Sequence, residues 1–208
     1  MSRRIAGITL DELDELPSKC RRCVFWELAP HVREQAEEFG HTDLEKEAWV
    51  SSVLLEWGSC GRTVHVDDVP AGYALYAPPA AVPGAALFPT GPVSADAVLL
   101  TALRVTADFE RAGLGRFLVR HVAEDLTRRG VQAIEAFGDA TEDPAGCVIP
   151  AGFLRQVGFK TVSPHHEWPR LRLELRTAIN WKEDVEAALE RLLDTTSVRT
   201  AEPSFDRR

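Results

Sequence analysis

The residues best placed for chemistry lie between Val98 and Arg129. Phe109-Glu110-Arg111-Ala112-Gly113-Leu114-Gly115-Arg116 separates an apolar run, Ala97 to Val105, from an amphipathic one, Leu114 to Arg129. Glycines at such a junction let the backbone turn tightly and bring its N–H groups close to a ligand. The first N–H groups of the helix that follows have no partner inside it. With the helix dipole they form an anion site suited to a phosphate or pyrophosphate. The companions of two common phosphate loops are missing. A Rossmann loop needs a third glycine where Leu118 stands, and a Walker loop needs Gly-Lys-Ser/Thr where Gly115-Arg116-Phe117 stands.

Other residue types offer proton and metal chemistry. Glu135 and Asp139 share one face of the strand-like run after the amphipathic segment, together with Phe137. If that face lines a cleft, either is a candidate general base; if it is solvated, both are surface charges. Glu56 and Asp96 are weaker candidates, and His121 is read as a surface residue of the amphipathic helix. Tyr73, Tyr76, Trp26 and Trp57 are candidates to line an acceptor pocket or to fill a core. Of the four cysteines, Cys20 and Cys23 have the two-residue spacing of a zinc half-site or a redox pair. Cys60, with His41 or His65, would have to complete a zinc site of about four ligands. No second paired motif accompanies them, so structural zinc is not expected and free, partly buried thiols are. A redox role is disfavoured by placement, because the motif precedes a strand-like run and not a helix start.

The elements that must position these groups follow from periodicity. The first eighteen residues read as a loose arm or a short helix. Cys23 to Leu28 reads as a strand, His31 to Phe39 as a short helix ended by Gly40. Thr42-Asp43-Leu44-Glu45 has the form of a capping box and opens a helix to about Trp57, with Leu44, Ala48, Ser52 and Leu55 in one stripe widened by Trp49, Val53 and Leu54. Arg62–Val66 and Gly72–Ala77 form a hairpin around Asp67-Asp68. Pro78 to Asp96 holds five prolines and is expected as an irregular flap on the substrate side. Ala97–Val105, the helix with its stripe Leu118, Val122 and Leu126, Gly130, and Val131–Phe137 form a βαβ unit with two parallel strands. A short helix over Ala151 to Val157, a short strand from Phe159, and the alternating Arg170–Arg176, read as an edge strand, follow. Asn180 and Glu183 would cap a last helix with Trp181, Val185, Ala188, Leu189 and Leu192 on its apolar face.

Size and charge bound the function. The chain has 208 residues, enough for one α/β domain with decoration. No apolar run reaches the ~18 residues of a membrane span, and acidic residues follow the basic start, so neither a membrane partner nor a signal peptide is expected. The expected compartment is the cytoplasm. A net charge of -8 argues against nucleic acid as a partner. It is compatible with a cationic acceptor such as an amine, and acidity also serves solubility.

Val105-Thr106-Ala107-Asp108-Phe109-Glu110-Arg111-Ala112-Gly113-Leu114-Gly115 resembles the acetyl-CoA motif of the GNAT acetyltransferase superfamily: a strand, its exit, an aromatic, then Arg/Gln-x-x-Gly-x-Gly/Ala. Glu110 departs from the Arg or Gln of that pattern, and Arg111 or Arg116 could supply the positive charge. The order of elements from about residue 20 to 176, with Val157-Gly158-Phe159, resembles the family as well. The strings around Cys20–Glu27 and Leu55–Gly61 are similar to an actinobacterial group of GNAT proteins of unassigned substrate.

The resemblance implies a GNAT-like α/β (α+β) fold: a mixed, mostly antiparallel sheet with a βαβ cofactor unit and helices on both faces. It implies an N-terminal arm over 1–19, an acetyltransferase domain over 20–176, and an added helix and tail over 177–208. Leu103 and Val105 would offer backbone groups to the pantetheine arm of acetyl-CoA, and the N–H groups of Arg111, Ala112, Gly113, Leu114, Gly115 and Arg116 would hold its pyrophosphate. An amine of a small molecule or a protein would attack the thioester directly. Many members place a tyrosine four residues before the Gly of a Gly-Phe pair, to protonate the leaving thiolate. That position is Leu154 here, and Cys147 and His165 are the replacements to consider. The missing tyrosine also admits a CoA-binding regulator with little catalysis, for which the last helix would be a docking element or a homodimer contact. A zinc-stabilised interaction module resting on Cys20, Cys23 and Cys60 is the third reading.

Overall fold

The computed structural model describes residues 2–141 and 146–175. The first segment is not a loose arm. Arg3–Gly7 forms β1, which pairs antiparallel with β2, and Leu10–Leu13 is a one-turn helix, α1, opened by Thr9 and Glu12. Two exposed arginines and three half-buried small or apolar residues carry no alternation, which hid this edge strand from a reading of periodicity. Ser18–Arg21 is α2, and Cys23 to Leu28 then runs in turns, not as a strand. The aromatic residues that suggested a strand are there for packing. The Trp26 ring stacks on Phe88 at 5.0 Å and lies flat against Phe137 at 6.2 Å.

Pro30–Phe39 is α3, with Pro30 in its first turn and Gly40 in the left-handed conformation at its end. Thr42–Trp57 is α4. Thr42 lies within this helix and His41 precedes it, so the expected capping box is not made; Glu45 N–H bonds the His41 carbonyl at 3.1 Å. The buried face also differs from the expected stripe. Lys46, Trp49, Val50 and Val53 face inward, whereas Leu44 and Leu55 are 60% and 87% exposed. The buried cation explains the rotation, since the Lys46 ammonium pairs with the equally buried Glu27 carboxylate.

Gly61–Val66 (β2) and Val69–Ala77 (β3) form the predicted hairpin, with Asp67 and Asp68 both at positive φ in the two-residue turn. The proline-rich segment that follows contains two short 3-10 turns, Pro79–Ala81 and Pro83–Leu87, and buries Val82 and Phe88. Ala97–Val105 is β4, Leu114–Arg128 is α5 and Ala133–Asp139 is β5. The β4 and β5 strands are parallel, as the βαβ reading requires. Leu118, Val122 and Leu126 of α5 are fully buried, and burial of each such side chain stabilises by roughly 1.5–3 kcal/mol. Ile149–Pro150 (β6), Ala151–Gln156 (α6), Lys160–Ser163 (β7) and Arg170–Glu174 (β8) complete the described residues.

The sheet order is β1-β2-β3-β4-β5-β8-β7, with β6 added beside β5. Every neighbouring pair is antiparallel except β4–β5 and β5–β6. β8 lies between β5 and β7, so it is not the edge strand its alternation suggested. Its arginine side is covered by partners from the next strand. The α5 and α6 helices pack on one face around Val98, Leu100, Ile134 and Ala136. The α4 helix and the proline-rich segment pack on the other, around Tyr73, Leu75, Leu99 and Phe137. The helix expected from Asn180 lies outside the described residues.

Candidate functional site

Three pieces of backbone make the site. The first is the loop before α5. After β4 a single 3-10 turn, Ala107–Phe109, leads to Arg111 at φ 63° and Gly113 at φ 75°, ψ 10°. Gly113 precedes the first helical residue with no side chain to cap it, and nothing lies within 4 Å of where a Cβ would stand. Leu114, Gly115 and Arg116 form the first turn of α5, so their N–H groups have no acceptors within the helix. Fifteen residues of α5 stand behind them, so their field favours an anion.

Gly115 has a second reason to be glycine. A Cβ there would stand 3.0 Å from the Phe153 ring of α6. Buried Leu114 and Leu118 anchor the loop from below, and Arg3 of β1 ties its upper side by donating to the Ala112 carbonyl at 3.1 Å. Of the two arginines expected to compensate for Glu110, Arg116 donates to the Gln156 carbonyl at 3.0 Å. Arg111 is exposed and makes no ion pair among the described residues, which leaves it available to a phosphate.

The second piece is a split between strands. The β4–β5 ladder covers only Ala97 to Leu99 against Ala133 to Glu135. Beyond it the two strands part: β4 continues to Val105 without a β5 partner, while the end of β5, Gly138 and Asp139, pairs with Ile149 and Pro150 of β6. At the same level β4 carries an extra residue: Leu75 pairs with Ala102 but Tyr76 with Leu100, so Thr101 is a bulge. Bulges bend a strand and re-aim its backbone. The β5-facing backbone of Leu103 and Val105 is thus left without a strand partner, directly above the α5 loop.

The third piece is a cleft on the face opposite α5. Its volume is about 490 Å³, and Phe25, Leu87, Phe88 and Trp168 give it apolar walls with Arg33 and Glu37 at the rim. Cys23 and Cys147 belong to its lining and also to that of a void of about 20 Å³ against Tyr73, Ala102 and Arg104. Tyr73 and Trp26 line this void, as two of the four aromatic candidates. Tyr76 and Trp57 do not; Tyr76 is fully buried and bonds Asp125 and Ser59 on the α5 side.

The carboxylate candidates separate clearly. Glu135 is 0% exposed, not solvated. Its carboxylate pairs with Arg170, takes a 3.2 Å bond from Arg172 and accepts the Ser94 N–H at 3.2 Å. Burial alone would raise its pKa, but Ser94 and the two guanidiniums outweigh burial and hold it below the ordinary range. A carboxylate so satisfied is a poor proton acceptor. Asp139 is 4% exposed at the end of β5, past the split. One of its oxygens accepts the Thr141 N–H and hydroxyl at 2.9 and 2.7 Å, and it makes no ion pair among the described residues.

The remaining candidates have local duties. Glu56 is exposed and bonds Ser52, Asp96 pairs with Arg172, and His121 pairs with Glu124 on the outer face of α5. The Asp96 carboxyl is held below its usual range by that Arg172 contact. The His165 Nδ1 accepts N–H groups of Glu167 and Trp168, so that ring caps a turn. Cys60 lies apart from Cys20 and Cys23, its thiol on the Ile8 carbonyl, and no group of three metal ligands assembles among the described residues. Sequence reasoning missed the buried pair Glu27–Lys46 at the edge of the void.

The GNAT acetyltransferase family matches residues 20–159. The chain belongs to this family. Solved structures with the same fold include the PaiA N-acetyltransferase of Thermoplasma acidophilum, in complex with coenzyme A, at 12% identity and a TM-score of 0.55 over 84% of this chain and 99% of that one. An N-acetyltransferase of Staphylococcus aureus matches at 13% and 0.55 over 84% and 99%, and an acetyltransferase of Thermus thermophilus at 17% and 0.50 over 84% and 97%. No curated protein is significantly similar to the chain in sequence. Within this GNAT domain, Leu154, four residues before Gly158, is fully buried in the core between α5, α6 and the sheet.

Proposed function

We propose that this GNAT protein transfers an acetyl group from acetyl-CoA to an amine by direct attack. The observation that carries the reading is the split between β4 and β5 directly above a helix start with free N–H groups. The pyrophosphate would lie on the N–H groups of Arg111 and of Gly113 to Arg116, since the Ala112 N–H donates to the Phe109 carbonyl at 3.4 Å, and the pantetheine arm would add to the unpaired edge of β4 at Leu103 and Val105. Acetyl-CoA brings the thioester; the chain orients it and excludes water around it. The bulge at Thr101 turns backbone groups toward the split, where they can polarise the thioester carbonyl.

The acceptor would enter from the opposite cleft. Its apolar walls suit an amine with an aromatic or aliphatic body, on a small molecule or a peptide, while at its rim Glu37 is paired with Arg33 at 3.8 Å. Asp139 is the proposed base, because its carboxylate is free of the arginines that hold Glu135. CoA release measured over a panel of aryl-alkyl amines, amino acids, peptides and polyamines tests the reading. Release with the apolar amines supports it, and no release with any member opposes it.

One observation favours a second reading. Leu154 in the core leaves the family's thiolate-protonating position empty, which suits a CoA-binding regulator with little catalysis. Acetyl-CoA binding without CoA release across the panel would select that reading.

A further inference from the structure

The cleft wall holds a thiol cluster that the transfer chemistry does not use. The Cys23 and Cys147 sulfurs are 2.9 Å apart, although the residues lie 124 positions apart in sequence. Both are half-buried and line the acceptor cleft on one side and the small void against β4 on the other. Cys20 also lines that void, together with Tyr73. The fourth cysteine contrasts with these: Cys60 is fully buried, and burial pushes its thiol up to about 12. Such a thiol is inert.

The surroundings make Cys23 the more nucleophilic of the pair. The hydrogen bond from Cys147 lowers its pKa to about 6; burial and Glu27 oppose that change, and the Phe25 backbone and Lys46 assist it. Cys147 is raised in return. The thiolate is the species that attacks an electrophile, and the cleft gives one a route from solvent. Closure by about 0.9 Å would take the two sulfurs from contact to a bond of ~2.05 Å.

We propose that Cys23 and Cys147 form a reversible redox pair, oxidised to a disulfide by a peroxide and reopened by a dithiol, and that the disulfide seals the wall between the acceptor cleft and β4. Cys23 thiolate attacks a peroxide oxygen, the O–O bond breaks, and hydroxide leaves a sulfenic acid. Cys147 then attacks that sulfur; the S–S bond forms, the S–O bond breaks, and water leaves with the Cys147 proton. Two thiols and one hydrogen peroxide give one disulfide and two waters. The sealing step rests on the proposed acyl-transfer reading, whereas formation of the bond does not.

The test treats reduced, desalted protein with hydrogen peroxide. Thiol counting and non-reducing peptide mapping are expected to show the four thiols falling to two, with Cys23 joined to Cys147 in the same chain, and recovery with dithiothreitol. Cys60→Ser keeps the linkage, and Cys147→Ser loses it. Four thiols persisting, a Cys20–Cys23 bond, or bonds between chains would each overturn the pair. For the seal, the oxidised protein keeps its thermal stabilisation by acetyl-CoA while amine-dependent CoA release falls about a hundredfold, the scale of a misplaced reactant. Release in Cys23→Ser and Cys147→Ser is then insensitive to peroxide. Unchanged release from fully bridged wild-type protein overturns the seal. If no amine releases CoA from the reduced protein, the acyl-transfer reading fails, and the linkage map still decides the pair.

Discussion

Glu135→Gln separates a structural carboxylate from a catalytic one. In the wild type this side chain is wholly buried, and two arginines on β8, each 14% exposed, converge on it. Glutamine keeps the shape and can still accept the Ser94 N–H, but it removes the only negative charge buried between the two guanidiniums among the described residues. Breaking a buried pair by neutralising one partner costs roughly 3–5 kcal/mol. At about 2–4 °C per kcal/mol for a chain of this size, the midpoint of thermal unfolding falls by about 10 °C. The pH dependence has a definite sign. The Glu135 pKa is depressed on folding from an ordinary value of 4.5. Its contribution is therefore complete above that value and is lost as pH falls through the folded pKa. The stability gap between wild type and variant is full at pH 7 and narrows progressively below about pH 4.5. Thermal and urea unfolding between pH 3 and 7 measure the gap, and CoA release well below the variant's midpoint measures the chemistry. A variant as stable as wild type but a hundredfold slower would refute the assignment and return Glu135 to the role of base.

Other expectations follow from the same contacts. Asp139→Asn leaves unfolding nearly unchanged and lowers amine-dependent kcat by about 10²–10⁴, the usual scale for a general base; an unchanged rate would exclude Asp139. Lys46→Met strands the buried Glu27 carboxylate and costs roughly 3–5 kcal/mol in urea unfolding, while adding Glu27→Gln restores a large part of the loss. Equal stability of the single and double variants would contradict a buried ion pair. Disulfide formation between Cys23 and Cys147 closes a long loop and raises unfolding stability by up to about 5 kcal/mol on chain-entropy grounds; a lowered urea midpoint on oxidation would mean that the bond strains the wall.

What the sequence disclosed was local and periodic. The stripe Leu118, Val122 and Leu126 places α5, and Asp67-Asp68 places the hairpin, because helical spacing and positive-φ turn residues are properties of a few neighbouring positions. The loop around Gly113 was readable for the same reason. What stayed hidden depends on partners distant in the chain. β1 declares itself only when β2 is beside it. The face of α4 was misplaced because Lys46 looks like a solvent residue until Glu27 is opposite it. Phe25 and Trp26 have strand-forming side chains, yet tertiary stacking on Phe88 and Phe137 fixes them in turns. Alternation placed Glu135 and Asp139 on one face of β5, but only Arg170 and Arg172, more than thirty residues later, distinguish the arginine-bound Glu135 from Asp139. The Cys20-x-x-Cys23 spacing likewise gave no sign that the sulfur facing Cys23 belongs to Cys147.

The proposed acyl transfer depends first on the α5 loop holding the pyrophosphate of acetyl-CoA. Thermal shift with millimolar acetyl-CoA on wild type, Gly113→Asn and Gly113→Asp tests it most directly. Both variants tolerate the left-handed backbone better than other residues do, and a Cβ at 113 meets nothing within 4 Å, so both fold. Asparagine intrudes on the anion site, and aspartate adds like-charge repulsion. A pyrophosphate held there gives a clear stabilisation of wild type, growing with ligand concentration, a reduced one for Gly113→Asn and none for Gly113→Asp. Equal stabilisation of all three proteins, or none of the wild type, would contradict it.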